Sequence, residues 1–382
     1  MLIFSLFWGY YAAREISIIR SQGDYKKRRA EMLSAMGAQR IKIFVETGLD
    51  NIRYLTGFTG SSAYLIISEK KSTLLTDSRY ASQAREEVKK HGFSVKIYKK
   101  ELFSVIAGEI KKLSLTGSVG LDGGALSYRA FGQLKAALKP TRLRPLSNLT
   151  GPLRMAKESS EIELVKKAAS ILEGGFKRAE RLLRPGAVER AVARRIEDYF
   201  ITRGAEGPSF ESIVASGPRG ALPHGKASGK EIKKGELVVM DMGVRYRGYC
   251  SDGTRTFAVG RSTRLQKKIY RIVKEAQMLA VEKITGGVKA SHVDSAARRH
   301  IKKSGYGQYF GHGTGHGIGL AVHEGPGVGP KSMDVLTDGM IVTVEPGIYL
   351  PDWGGVRIED MVLVKKDGAE LITNSPEKLL CI

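Results

Sequence analysis

Cysteine is almost absent from this 382-residue chain, which contains only Cys250 and Cys381. Two cysteines so far apart fit reduced thiols in a cytoplasm better than a disulfide framework. The length allows two domains of ordinary size, each with its own core. A hydrophobic content of 42% and a charged content of 26% are those of a soluble globular protein. We therefore expect a cytoplasmic protein of two domains.

Long apolar runs are also missing. Residues 2–13 are apolar and aromatic, but about a dozen residues are too few to span a bilayer. The segment lacks the basic start and the small-residue cleavage site of a signal peptide. We interpret residues 1–20 as an extension outside the fold, either a mis-assigned start or a loose tail, in preference to the alternative of a membrane role. No stable membrane anchoring is expected.

Acidic residues are too few to balance the basic ones, since 39 Asp and Glu face 62 Lys and Arg, for a net charge of +23. The excess is spread over the whole chain. A nucleic-acid-binding protein would instead gather its charge into a basic stripe with stacking aromatic residues. Short basic runs such as residues 26–29 are typical of an exposed helix face. Nucleic acid is therefore not an expected partner.

The first part of the chain alternates strands with helices, which predicts an α/β domain over residues 21–150. A Gly- and Ser-rich segment at residues 57–62 has no phosphate-loop lysine and is interpreted as a turn. The predicted helices span residues 24–36, 79–90 and 102–113, and the predicted strands span residues 41–45, 62–68, 72–76 and 94–98.

The second part, residues 151–382, repeats one order of elements. Two helices are followed by two strands, and the same order then recurs, which predicts two related halves. Paired strands with helices outside them make an α+β domain with a curved sheet. The predicted helices span residues 159–183, 188–203, 265–284 and 292–303, and the predicted strands span residues 237–243, 249–259, 340–345 and 356–364.

Acidic residues end or begin the apolar strands of this second domain. A buried lone carboxylate costs several kcal/mol unless it is paired or bound to metal. A turn about residues 246–247 would place Asp241 opposite Asp252, with Cβ atoms roughly 5 Å apart. Two carboxylates so close repel each other, and a divalent cation between them removes the repulsion. The alternatives are a pair of surface aspartates, or an Asp252 bound by Arg255.

A second acidic pair follows the same pattern. Glu345 ends one apolar strand, and Glu359 lies in the next. A turn through residues 351–354 would bring the two side chains opposite each other. Four acids would then lie on two hairpins, one hairpin from each half.

Histidines gather in glycine-rich segments of the same domain. Residues 311–324 contain His312, His316 and His323, and His224 lies before another glycine. Glycines let the backbone pass close to a site. Four histidines beside four acids indicate a functional site. The other three histidines are interpreted as surface residues: His91, His292 and His300.

Together these residues resemble the pita-bread metallopeptidase family, which includes methionine aminopeptidase, aminopeptidase P and prolidase. The resemblance extends from about residue 150 to the end of the chain. It implies that Asp241 chelates one of two divalent ions per subunit, that Asp252 and Glu359 bridge both, and that His316 and Glu345 complete the other. Carboxylate oxygens with one imidazole form a hard site, which favours Mn²⁺, with Co²⁺ or Zn²⁺ able to substitute.

The resemblance also implies roles in hydrolysis. Paired ions supply a bridging hydroxide at neutral pH and polarise the carbonyl under attack. Glu345 would shuttle a proton, and His224 and His323 would hydrogen-bond the substrate carbonyl or the tetrahedral intermediate. His312 would shape a proline pocket. Arg357 would orient Asp241 or the ligand shell, or would form a plain structural salt bridge.

The preceding α/β domain resembles that of aminopeptidase P and short prolidases, on the phrases at residues 51–58 and 75–80. The resemblance implies hydrolysis of the Xaa-Pro bond at the N-terminus of proline-containing peptides, by a homodimer. Aminopeptidase P, which accepts peptides of varied length, is favoured over prolidase, which cleaves only Xaa-Pro dipeptides, although no motif decides between them. A non-enzymatic binding module with this fold is a remote alternative, because all five metal ligands have a counterpart.

Overall fold

The computed structural model describes residues 23–99 and 101–382. The predicted extension at residues 1–20 lies outside the described residues. The chain forms two compact units, which divide between Arg154 and Met155. No helix among the described residues is long and apolar enough to cross a membrane.

The first unit is built on one six-stranded mixed sheet with the strand order β4-β3-β2-β1-β5-β6. Its strands are β1 (Ile43–Glu46), β2 (Tyr64–Ser68), β3 (Thr73–Asp77), β4 (Ser94–Tyr98), β5 (Val119–Asp122) and β6 (Leu143–Leu146). Its helices are α1 (Tyr25–Ala38), α2 (Leu49–Thr56), α3 (Ala81–Val88), α4 (Leu102–Lys112) and α5 (Tyr128–Leu138). A short helix, α6 (Gly151–Met155), contains the point at which the units divide.

All the elements predicted for this unit are present, and five others were missed, namely α2, β5, α5, β6 and the short α6. Strand β5 is only four residues long and contains Gly120, so its local pattern is weak. It forms because it lies between β1 and β6, to both of which it is parallel. A side chain at Gly120 would press on Phe44 and Ile41, so the glycine permits this packing.

The second unit has an α+β architecture, as predicted. Its helices are α7 (Ser159–Leu182), α8 (Glu189–Thr202), α9 (Arg264–Val281) and α10 (Ala290–Lys303). Its strands are β7 (Gly207–Pro208), β8 (Ile213–Ser216), β9 (Leu237–Met242), β10 (Val244–Tyr246), β11 (Tyr249–Cys250), β12 (Gly253–Ala258), β13 (Gly315–Gly317), β14 (Glu324–Val328), β15 (Ile341–Val344), β16 (Gly347–Leu350), β17 (Gly354–Arg357), β18 (Asp360–Lys365), β19 (Gly368–Leu371) and β20 (Leu380–Cys381). The two largest sheets have the orders β20-β12-β9-β8 and β14-β13-β15-β18-β19.

The predicted repeat of two helices and two strands is visible in the packing. In the first half, α7 and α8 cover β9 and β12, with Leu172 and Ile196 in a buried apolar cluster. In the second half, α9 and α10 cover β15 and β18, with Ile269 and Val362 in another. Each fully buried aliphatic side chain of this size contributes about 1.5–3 kcal/mol to stability. The packing of the helices therefore fixes the positions of both strand pairs.

One predicted hairpin register is wrong by two residues. Asp241 on β9 lies opposite Thr254 on β12, not opposite Asp252. The chain turns at Arg247 and Gly248, whose φ angles of 47° and 82° are both left-handed, one residue later than predicted. A shift of two residues keeps side chains on the same face of a strand pair, so the two aspartates still face the same side.

The second predicted register is confirmed. Val344 pairs with Asp360, and Gly347 pairs with Arg357. These two pairs enclose Glu345 and Glu359 in the same register, which puts the two glutamates opposite each other.

Candidate metal centre

All nine predicted site residues of the second unit line one cavity of about 450 Å³. They are Asp241, Asp252, His316, Glu345, Glu359, His224, His312, His323 and Arg357. The acids come from strand ends. Asp241 is on β9, Asp252 directly precedes β12, and Glu345 directly follows β15. Residues from distant parts of the chain therefore converge as the hairpins predicted.

Three of these side chains are close enough to share one ion. Asp252, His316 and Glu359 each offer a ligand atom, and the three atoms lie within 4.8 Å of one another. The Nε2 atom of His316 lies 3.6 Å from Asp252 Oδ2 and 3.5 Å from Glu345 Oε1. Oxygen and nitrogen ligands bind transition metals at roughly 2.0–2.2 Å, so donors spaced in this way can surround a cation.

The hydrogen bonding of the carboxylates fits a bound cation. Among the described residues, Asp241 Oδ1, Asp252 Oδ1 and Glu359 Oε1 are buried and have no hydrogen-bond partner. A buried acceptor without a partner costs about 1–3 kcal/mol, and more when it is charged. Three such oxygens face one cavity, so the donor set has free coordination capacity where a divalent ion would lie.

The pKa values of the carboxylates and of His316 also fit a bound cation. Burial, followed by the charge of neighbouring carboxylates, raises the pKa values of Asp252 and Glu359 well above their ordinary range. Burial raises the pKa of Glu345 to about 7. Burial lowers the pKa of His316 to about 4, so its imidazole is neutral and able to bind metal. The buried carboxylates therefore need either bound protons or a bound cation to neutralise their negative charge.

Comparison with known proteins identifies the family. Residues 163–366, more than half of the chain, match the model of metallopeptidase family M24, and residues 28–156 match the creatinase/prolidase N-terminal domain. The chain belongs to metallopeptidase family M24. The predicted pita-bread domain behind a creatinase-type N-terminal domain is thereby confirmed, as is the prediction of a metallopeptidase.

Known sequences and solved structures align with nearly the whole length of this M24 peptidase. The Xaa-Pro dipeptidase of Pyrococcus furiosus is 38% identical over 357 residues, 93% of this chain and 100% of the relative. A solved Xaa-Pro dipeptidase from Bacillus anthracis has a TM-score of 0.91 at 40% identity, covering 94% of this chain and 100% of the other. A solved X-Pro aminopeptidase from Thermotoga maritima has a TM-score of 0.85 at 35% identity, covering 93% and 99%.

Arg357 fixes one carboxylate of the M24 site. Its Nη2 donates to Asp241 Oδ2 at 2.6 Å, and its Nη1 donates to the Tyr349 hydroxyl at 2.9 Å. The Arg357 side chain is 3% exposed, whereas that of Asp241 is 15% exposed and lines the cavity. Of the alternatives for Asp252, the contact with Arg255 is wrong, because Arg255 instead binds Asp360 at 3.0 Å. Asp252 is also buried, so the surface-pair alternative is wrong as well.

The four histidines of the site have different surroundings. His312 is held at both ring nitrogens, by the Gly313 carbonyl at 2.7 Å and the Tyr349 hydroxyl at 2.9 Å. Burial lowers its pKa to about 4. The ring of His323 lies edge-on to that of His316, with centroids 4.4 Å apart. His224 and His323 are exposed in the cavity wall, where a substrate can reach them.

The other three histidines do not line this cavity. His292 is exposed, as predicted, whereas His91 and His300 are half-buried. His91 packs on the Tyr25 ring and His300 lies 3.1 Å from Glu275, so these two are not free surface residues.

Sequence reasoning missed a pair on α10 that supports the glycine-rich segment. Asp294 is fully buried and accepts hydrogen bonds from the backbone and hydroxyl of Thr314. Arg298 binds Asp294 and donates to the carbonyls of Phe310 and His312. The available signal was an Asp and an Arg four residues apart on a helix, which is common on exposed helix faces and therefore weak.

Asp360, directly after Glu359, was missed as well. It is fully buried and accepts from Arg255, Gln277, Thr373 and Ser375. Arg255 also donates to the carbonyl of Glu359. This network ties the backbone of one site glutamate to a helix and to the C-terminal segment. The signal in the sequence was a second acid next to Glu359, at the start of an apolar strand.

Proposed function

We propose that this M24 peptidase hydrolyses the Xaa-Pro bond at the N-terminus of peptides with two divalent metal ions. The observation that carries the proposal is the convergence of four carboxylates and one imidazole, with three carboxylate oxygens lacking partners. The names of the relatives, which are dipeptidases and an aminopeptidase for Xaa-Pro bonds, support the choice of substrate.

Asp241, Asp252, His316, Glu345 and Glu359 would hold the two ions. When bound, the ions would supply Lewis acidity and would lower the pKa of a nearby water. Carboxylate oxygens with a single imidazole favour Mn²⁺, with Co²⁺ or Zn²⁺ able to substitute.

The side chains around the donors divide the remaining work. Glu345, at the end of β15, takes the proton of the attacking water and returns it to the leaving nitrogen. His224 and His323 are exposed in the cavity, so they are placed to donate hydrogen bonds to the carbonyl oxygen as negative charge develops on it. His312, which is neutral and fixed by Tyr349, forms a wall of the pocket for proline. Arg357 keeps Asp241 in one orientation.

The length of the substrate is the finer part of the proposal. The sequence favoured aminopeptidase P, which accepts longer peptides. Two of the three relatives described above, at 38% and 40% identity, are named as dipeptidases, and this favours prolidase activity as the second candidate. A cavity of about 450 Å³ lies in the ordinary range for small ligands and accommodates either a dipeptide or the start of a longer chain.

Hydrolysis of three short peptides tests both the Xaa-Pro specificity and the length of the substrate. Ala-Pro, Ala-Pro-Ala and Ala-Ala-Ala are incubated with the Mn²⁺-loaded protein, and the products are separated by chromatography. Aminopeptidase P releases Ala from Ala-Pro-Ala, whereas prolidase cleaves Ala-Pro alone. Cleavage of Ala-Ala-Ala with no cleavage of either proline peptide contradicts the proposal.

Metal content separates the enzyme from the binding module. We expect about two ions per chain after dialysis, and a folded protein that holds none would favour the module. The resemblance also leads us to propose a homodimer, which sedimentation velocity tests.

A further inference from the structure

Glu189 is a fully buried carboxylate to which the proposed reaction gives no role. It is the first residue of α8, where the positive end of the helix dipole favours an anion. Burial tends to raise its pKa, but hydrogen bonds from Ser228 and Ser216 outweigh burial, so the pKa of Glu189 is lowered. The side chain is therefore a charged acceptor inside the second unit.

Five donors reach this one carboxylate. Its Oε1 accepts from the backbone N–H and the hydroxyl of Ser216, both at 2.8 Å. Its Oε2 accepts from the hydroxyl of Ser228 at 2.6 Å, from the Ser228 N–H at 3.1 Å and from Arg219 Nε at 3.1 Å. Ser216 and Ser228 are twelve positions apart, so the carboxylate holds both ends of the segment between them.

That segment, residues 217–227, carries His224 and is called the His224 loop below. Arg219 closes it further, because its Nη2 donates to the carbonyl of Lys226. The far side of the loop faces the metal centre, where Arg357 Nη1 donates to the Pro223 carbonyl at 3.2 Å. Glu189 thus fixes the base of the loop, and Arg357 holds its tip.

Within the described part of the chain, the imidazole of His224 makes no hydrogen bond of its own. The ring is exposed in the wall of the cavity. Its position therefore depends on the backbone of the His224 loop. A catalytic donor loses much of its effect when it is displaced by about 1 Å, so the anchoring of the loop bears on turnover.

We infer that Glu189 is a positioning residue, which anchors both ends of the His224 loop so that His224 points at the substrate carbonyl. This inference rests on the proposed function, because it assumes that His224 contacts the reacting group. Glu189 acts through His224 and touches neither substrate nor metal.

The variant Glu189→Gln tests the inference with little change in shape. A carboxamide has one acceptor oxygen and places N–H donors where Ser228 or Ser216 now donates, so one end of the loop is released. We expect kcat to fall roughly 10-fold with little change in KM, because the lost contact is made in the transition state. The metal content is expected to stay the same.

A double-mutant cycle separates positioning from general damage. His224→Ala is expected to lower kcat roughly 10²-fold, as for one lost donor to the developing oxyanion. If Glu189 acts only through His224, the double variant Glu189→Gln/His224→Ala is no slower than His224→Ala. Additive losses, or loss of bound metal in Glu189→Gln, overturn the inference.

Two further variants complete the design. Ser228→Ala removes one hydroxyl donor and keeps the backbone donor, so it gives the same cycle with a smaller loss if Glu189→Gln does not fold. Glu161→Gln is the matched control, because Glu161 is another buried carboxylate of the unit, bound by Tyr249 and not by the His224 loop. We expect its kcat to stay within about twofold of the wild type.

The two hypotheses fail in different ways. If His224→Ala keeps full kcat, the proposed role of His224 is wrong and the inference falls with it. If His224→Ala is slow while Glu189→Gln is as fast as wild type, only the role of Glu189 is refuted.

Discussion

Without its metal ions, the protein is expected to lose stability as the pH rises to 8, because of the carboxylate cluster. In the metal-free protein, burial raises the pKa of Glu345 from 4.5 to about 7. Asp252 and Glu359 are shifted in the same direction. A raised pKa means that the folded state favours the protonated acid. Its contribution to stability is fully present below about pH 4.5 and is lost as the pH rises through about 7.

The magnitude follows from the shift of Glu345. One pKa unit corresponds to about 1.4 kcal/mol, so this shift alone removes about 3 kcal/mol between pH 4.5 and pH 8. The second unit has the size of a domain for which 1 kcal/mol changes Tm by roughly 2–4 °C, so its Tm is expected to fall by about 6–12 °C. Bound divalent ions replace the protons, so the metal-loaded protein is expected to lack this loss.

The assay is thermal unfolding at pH 5 and pH 8, in EDTA and in Mn²⁺. Because the chain carries a net charge of +23, a rise in pH also relieves repulsion among its basic groups. Glu345→Gln therefore serves as the baseline, since an amide cannot titrate in this range. In EDTA, the wild type is expected to lose more Tm than Glu345→Gln on going to pH 8. Equal changes in the two proteins would refute the reasoning.

Three further predictions concern single residues. Asp252→Ala and Glu359→Ala are each expected to abolish peptide hydrolysis and to lower the metal content below that of the wild type, as measured by plasma mass spectrometry. His323→Ala is expected to keep its metal while kcat falls roughly 10²-fold, and loss of metal in this variant would show that His323 is a ligand. Asp360→Ala removes one of the two carboxylates that bind the buried guanidinium of Arg255, the other being Glu173, and it also removes the acceptor of three buried donors. Urea unfolding is therefore expected to show a loss of about 3–5 kcal/mol. A loss under 1 kcal/mol would contradict the assigned network.

The long helices of the second unit, which have strong local periodicity, are among the elements that sequence reasoning found. Helices α7 and α9 have a regular apolar face, and each begins with a capping box. The error in the first hairpin came from the turn, where Gly248 signals a left-handed position one residue beyond the predicted centre. The fold class survived the error because a two-residue shift leaves the inward face unchanged.

The glycine-rich strands of the second unit were not predictable from local pattern. Strand β13 consists of Gly315, His316 and Gly317, and glycine is normally depleted in strands. A Cβ at Gly315 would overlap the carbonyl of Thr343, and one at Gly317 would overlap that of Gly325. These close neighbours leave no room for a Cβ at either position, so the extended strand needs glycine there. The strand in turn places His316 in the cavity.

The supporting networks were missed for a different reason. Asp360 bonds to Arg255, which is 105 positions away, and to Gln277, which is 83 positions away. No local periodicity connects such residues, since only the completed fold brings them together. The four acids of the site were singled out because acids at the ends of apolar strands are rare enough to need an explanation, whereas His316 was singled out by its glycine-rich segment.

The donors that we propose for the metal centre come from both halves of the second unit, Asp241 and Asp252 from one and His316, Glu345 and Glu359 from the other. If the peptidase were cut in the connection before α9, neither of the two fragments would contain a complete set of metal ligands. Tight metal binding would return only when the fragments reassociate. The metal affinity of such a split protein would therefore measure how tightly the two structurally repeated fragments associate.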